Sequence, residues 1–124
     1  MRGPLSDLPV VLLDSVTQVQ PAHAGCVVVT GSHGGASAAK YALDVAAALY
    51  VFNDAGVGKD GAGIAGLAQL DAAGIAAAAV AHTSARIGEA RDTYEHGIVS
   101  AVNRKAAALG LSRGQGLCEQ LRDV

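Results

Sequence analysis

The sequence is poor in the side chains that usually build a small core. It has no tryptophan, one phenylalanine and three tyrosines, so aliphatic side chains and the backbone itself must do the packing. Cysteine is almost as scarce. Cys26 and Cys118 cannot make a metal site by themselves, and they read as small buried thiols rather than a disulfide framework. Charge is thin as well, with 9 Lys and Arg against 11 Asp and Glu and a net charge of −2. Neutralising a phosphate backbone needs clustered cations, so nucleic acid is not an expected partner. No apolar stretch approaches the roughly 20 residues of a bilayer span. The longest, residues 25–30 and 75–81, are far shorter, and the start of the chain lacks a secretory pattern. The expectation is a cytoplasmic protein that makes no membrane contact.

What is plentiful is small. Alanine (26) and glycine (16) make up 42 of the 124 residues, and apolar residues reach 51%. That apolar content excludes a disordered segment. It also lets elements approach backbone to backbone. A chain of 124 residues is the usual size of one domain, expected here to span 1–124.

Apolar runs alternate with helical spacing along the chain. Residues 10–13 and 26–29 read as strands, separated by a turn at Pro21 to Gly25. The run Thr30-Gly31-Ser32-His33-Gly34-Gly35 then opens a helix over 36–48. Residues 49–52 form the next strand, Ile64, Leu67, Ala68 and Leu70 mark a helix closing at Gly74, and residues 75–81 form another strand. The last helix is expected from about 87 to 109, ending at Gly110, with Gly97 as an interruption. Strands without period-two alternation, separated by helices, indicate a parallel sheet covered on both faces. The fold class is α/β: a small three-layer Rossmann-like domain with a mostly parallel sheet of four or five strands. Residues 10–14 either extend that sheet or form a hairpin with 26–30.

In such a sheet every strand-to-helix turn lies at the carboxyl edge, where helix N-termini converge and ligands bind. Three turns of this chain concentrate polar residues there, whereas the opposite-edge connections, 47–48 and 71–74, are plain. In the first turn Gly31, Gly34 and Gly35 are candidates for positive φ and a backbone anion cradle, with Ser32 a binding residue and His33 an acid or base. The second contributes Asn53 to binding and Asp54 as a general base, with Asp60 a weaker candidate. Its Gly56-Val57-Gly58-Lys59-Asp60-Gly61 has dinucleotide spacing, but the next strand ends in Val80-Ala81-His82, without the acidic residue that fingerprint requires. It is not a Walker motif either, since Asp60 follows Gly58-Lys59. The third turn supplies His82 as acid or base, with Ser84 and the permanently charged Arg86 as binding residues. Arg86 is equally placed for a structural pair with Glu89 or Asp60.

These turns point to an enzyme of hydrolase, lyase or isomerase type acting on a small anionic polar metabolite, with His33, Asp54 and His82 sharing proton transfer. No cofactor is called for. His33, His82 and Asp54 are also residue types that a divalent metal takes, although no local pair such as His-x-x-x-His supports one. The other class of function is a metabolite- or nucleotide-binding regulatory domain without catalysis. The smooth Ala- and Gly-rich helix over 62–73 and the scarcity of charge suggest a homo-oligomer, with Tyr94 to His96 near a neighbour's turns.

Overall fold

The computed structural model describes residues 5–57 and 59–123, apart from the side chains of Lys59 and Asp60. The middle of the Gly56 to Gly61 spacing and the candidate Asp60 side chain therefore lie outside the described residues. Five strands form one sheet in chain order: β1 (Val10–Leu13), β2 (Val27–His33), β3 (Leu49–Asn53), β4 (Ala77–Val80) and β5 (Val99–Val102). The first four are parallel, and β1 pairs with β2 from Val10↔Val27 to Leu13↔Thr30, extending the sheet rather than forming a hairpin. The last, β5, runs antiparallel to β4.

Helices cover both faces. One face carries a short 3-10 turn at Val16–Gln18, α1 (Ala36–Leu43) and α2 (Ala65–Ala72), whose Val16, Ala39, Ala42, Leu67 and Leu70 pack on Val28, Tyr50, Phe52 and Ala77. Neighbouring strands that follow chain order force successive parallel crossovers onto the same face. The other face carries α3 (Ala90–His96), α4 (Arg104–Ala108) and α5 (Leu117–Asp123), over Val27, Val29, Val51, Ala78 and Val80. Leu49 and Leu70 are fully buried, each stabilising the fold by about 1.5–3 kcal/mol relative to exposure. Glycine sets the spacing between α1 and α2: a Cβ on Gly66 would stand 2.4 Å from the Gly35 carbonyl oxygen. Gly66 of α2 thus serves a close approach within the chain.

Two sequence expectations are corrected. The single helix over 87–109 is instead α3, β5 and α4. Gly97 ends α3 where a Cβ would meet the Thr93 carbonyl oxygen at 2.3 Å and Val80 Cγ1 at 2.7 Å. The β-branched run that follows pairs with β4, and Asn103 caps α4 by accepting from the Ala106 N–H. The helix after the first turn stops at Leu43 rather than 48, because the chain must turn back to enter β3 at Leu49.

The segment between β4 and α3 crosses the carboxyl ends of the sheet, tethered at one strand after another. Ser84 Oγ accepts from the Ile98 N–H, leading into β5, and the Ala85 carbonyl accepts from Asn53 Nδ2 at the end of β3. Gly88 N–H then donates to the Gly31 carbonyl on β2, and Ala90 N–H to Asp14 Oδ1 just past β1.

Candidate functional site

Asp54 sits just past the end of β3, tied to β4 by its N–H donating to the Val80 carbonyl at 2.8 Å. Its side chain is 7% exposed. Oδ1 accepts from the Gly56 N–H (2.8 Å), the His82 N–H (3.0 Å) and His82 Nδ1 (3.3 Å), while Oδ2 accepts from Ser100 Oγ at 2.7 Å. Burial pushes the carboxyl's pKa up, but the bonds from Ser100, Gly56 and His82 together outweigh it and hold the value below the ordinary carboxylate range. Asp54 is therefore ionised. An ionised carboxylate only accepts, so His82 Nδ1 must be the donor, leaving Nε2 as the basic nitrogen of the neutral ring. The His82 side chain is 54% exposed, beside Gly56. The result is a buried anion that orients a solvent-facing imidazole.

Two local features build this pair. The turn after β3 has three successive residues at positive φ, Ala55 (51°), Gly56 (75°) and Val57 (66°). For Val57 that conformation costs on the order of 1–3 kcal/mol. Asn53 and Asp54 offset it by accepting from the Ala55 and Gly56 N–H groups. The second feature is a bulge in β5. The register passes from Ala79↔Ala101 to Val80↔Val99, leaving Ser100 as the extra residue. Bulges re-aim side chains, and this one delivers the Ser100 hydroxyl to Asp54. Sequence reasoning missed Ser100 because it lay inside the expected long helix. The signal that could have found it is the run Ile98-Val99-Ser100-Ala101-Val102, strand-like in composition.

The first turn is built differently from the expectation. Gly31, Ser32 and His33 belong to β2, and none of Gly31, Gly34 and Gly35 has positive φ. Close approach explains these glycines. A Cβ on Gly31 would lie 2.5 Å from the Glu89 nitrogen and the Gly88 carbonyl carbon, and one on Gly34 would lie 2.9 Å from Leu67 Cδ1. Ser32 Oγ accepts from the Val16 N–H at 2.9 Å, and exposed His33 accepts from the Gly35 N–H through Nδ1 at 3.2 Å. Gly31, Ser32 and His33 line a cleft of about 390 Å³ that does not include Asp54 or His82.

The remaining candidates are committed locally. Asn53 is buried, with both side-chain ends on backbone groups. Ser84 donates to the Ala81 carbonyl and accepts from Ile98. Arg86, 83% exposed, pairs with Glu89 at 3.8 Å, a surface contact worth at most about 1 kcal/mol. Exposed His96 meets Asp92 at 2.8 Å on the surface of α3, and Tyr94 packs against the core. Among the described residues no three His, Cys, Asp or Glu side chains are grouped to hold a metal ion, and no helix is long and apolar enough to cross a membrane.

The structure thus brings Asp54 and His82 together, adds Ser100, and places Ser32 and His33 on a cleft that neither Asp54 nor His82 lines. Comparison with protein-family models, curated proteins and solved structures finds nothing that matches this chain.

Proposed function

We propose that the protein is a small-molecule enzyme of hydrolase, lyase or isomerase type, in which His82 moves a proton to or from a small anionic polar metabolite at the carboxyl edge of the sheet. The observation that carries this reading is the Asp54 carboxylate, buried and supplied with four hydrogen bonds, holding the Nδ1 side of an otherwise exposed imidazole. A fixed tautomer with an open Nε2 is what general acid–base catalysis asks of a histidine. Asp54 itself is a positioning residue, since its oxygens are already taken. For an anion, this edge offers Arg86, whose weak pair with Glu89 is readily given up.

A second reading, a metabolite- or nucleotide-binding regulatory domain without catalysis, draws support from the cleft lined by Ser32 and His33, which includes neither Asp54 nor His82. Incubating the protein with a panel of carboxylate- and phosphate-bearing metabolites, followed by NMR, separates the two. The enzyme reading expects turnover that falls about 10²- to 10⁴-fold in His82→Ala, with a melting temperature lowered by no more than the one hydrogen bond to Asp54 contributes. Saturable binding of panel members without turnover would favour the regulatory domain.

A further inference from the structure

We propose that the cleft at the end of β2 is a second ligand site, built for a small uncharged planar ring compound that carries a carbonyl oxygen. This goes beyond the acid–base reading of His82 and does not depend on it.

The cleft arises from the path of the chain. Strands in chain order leave no reversal between neighbours, so the sheet lacks the usual switch point where crossovers diverge to opposite faces and open a crevice. The tethered segment after β4 recreates one. It crosses back to β2 before entering α3, so α1 departs from the end of β2 on one face while the turn into α3 arrives on the other. The gap between them measures about 390 Å³, within the roughly 300–1,000 Å³ typical of small-molecule sites.

Its walls are held in place. Val16 N–H donates to Ser32 Oγ (2.9 Å), Gly88 N–H to the Gly31 carbonyl (2.7 Å) and Ala90 N–H to Asp14 Oδ1 (3.0 Å), so the three surrounding segments are bonded to one another around the end of β2. A ligand would meet a preformed site and avoid the cost of ordering loops.

The lining indicates what fits. Tyr41 from α1 and Ile87 from the opposite layer are 46% and 53% exposed, and both border the cleft. In a chain with only four aromatic residues, an exposed tyrosine and an exposed isoleucine bordering one cleft offer apolar surfaces for a planar ring. The polar groups are mostly donors. The Ser32 oxygen accepts from Val16, so its own proton is available. In the neutral ring His33 carries its proton on Nε2, because Nδ1 accepts from Gly35. Ser37 adds another hydroxyl. Donors of this kind call for a carbonyl oxygen. Asp14 also lines the cleft, where its carboxylate would repel a bound anion while the donor hydrogens of Ser32 and His33 would repel a cation, so the ligand is uncharged.

Nicotinamide, benzoate and acetamide test the proposal as probes: ring with neutral carbonyl, ring with anion, and carbonyl without ring. In amide-resolved NMR of the full chain at mildly alkaline pH, nicotinamide is expected to give saturable shifts at Gly31, Ser32, His33, Ser37 and Gly88. Benzoate should bind about tenfold more weakly, and acetamide should not saturate. Tyr41→Ala should weaken nicotinamide roughly three- to tenfold. Tyr41 is exposed, and unchanged shifts elsewhere in the spectrum would verify folding of that variant. The proposal is overturned if nicotinamide causes no saturable shift at these amides, if its shifts centre on Gly56 and His82, if benzoate binds as well, or if Tyr41→Ala binds as wild type does.

Discussion

Replacing Asp54 by asparagine tests whether the buried carboxylate is the keystone of the carboxyl edge. The amide is nearly isosteric, and its Oδ1 can still accept from the Gly56 and His82 N–H groups. Its Nδ2 faces Ser100, whose hydroxyl can rotate from donor to acceptor. What disappears is the charge. Hydrogen bonds to an ionised acceptor contribute about 1.5–3 kcal/mol against 0.5–1.5 kcal/mol for neutral pairs, so each backbone bond weakens by about 1 kcal/mol. Counting the bond from His82 Nδ1 to the same Oδ1 as weakened too, the variant should lose about 2–4 kcal/mol. For a domain of this length that corresponds to a melting temperature lower by roughly 8–16 °C. The pH dependence has a definite sign. The carboxyl's folded-state value lies below its ordinary 3.8, so its stabilisation is present above that value and drains away as pH falls through the folded value. Thermal melts followed by circular dichroism should therefore show a constant gap between wild type and Asp54→Asn at neutral pH, narrowing only in acid. A gap under about 3 °C at neutral pH, or one that widens on acidification, would refute the reasoning.

Other positions give equally direct outcomes. Asn103 is buried and makes four hydrogen bonds, accepting from Ala77 and Ala106 N–H and donating to the Leu67 and Ile75 carbonyls; Asn103→Ala should cost about 3–5 kcal/mol in urea unfolding, and under 1.5 kcal/mol would contradict its role. Gly31→Ala puts a methyl against three backbone atoms at 2.5–2.7 Å and should destabilise by about 1–3 kcal/mol in thermal melts while abolishing nicotinamide binding; a variant as stable as wild type would show that the contact relaxes. Tyr50, hydrogen-bonded to the Val45 carbonyl, has its pKa pushed up to about 12 by burial and by the nearby Asp44 charge. Its folded-state value lies above the ordinary 10.0, so stability should fall as pH rises past 10, and an absorbance titration should show one phenol resisting ionisation until about 12.

The parallel core of the sheet was legible because residues 26–29, 49–52 and 75–81 are continuous apolar runs bounded by turn residues, a pattern that buried strands require. The fifth strand was not, because residues 98–102 are short, follow a genuine helix and precede another; helical spacing carried across Gly97 concealed the break. The glycines at 31, 34 and 35 signalled a special place, but composition does not separate positive φ from close approach, and the distances assign close approach. Gly66 likewise announced tight packing, and the start of α1 is what it approaches. Asp54 with His82 was readable as two polar residues at one sheet edge. Ser100 was not, since its place depends on a bulge in an antiparallel strand the sequence reading did not contain.

The central claim is that Asp54 fixes the tautomer of the exposed His82 imidazole, and the nitrogen spectrum of His82 tests it most directly. In ring-labelled protein with the imidazole neutral, two-bond proton–nitrogen correlations distinguish the protonated nitrogen from the bare one. The account predicts a proton on Nδ1 and a bare Nε2 in wild type, and a smaller Nδ1-protonated fraction in Asp54→Asn, whose neutral amide oxygen holds that proton more weakly. A wild-type His82 protonated mainly on Nε2, or a spectrum unchanged by the substitution, would contradict it.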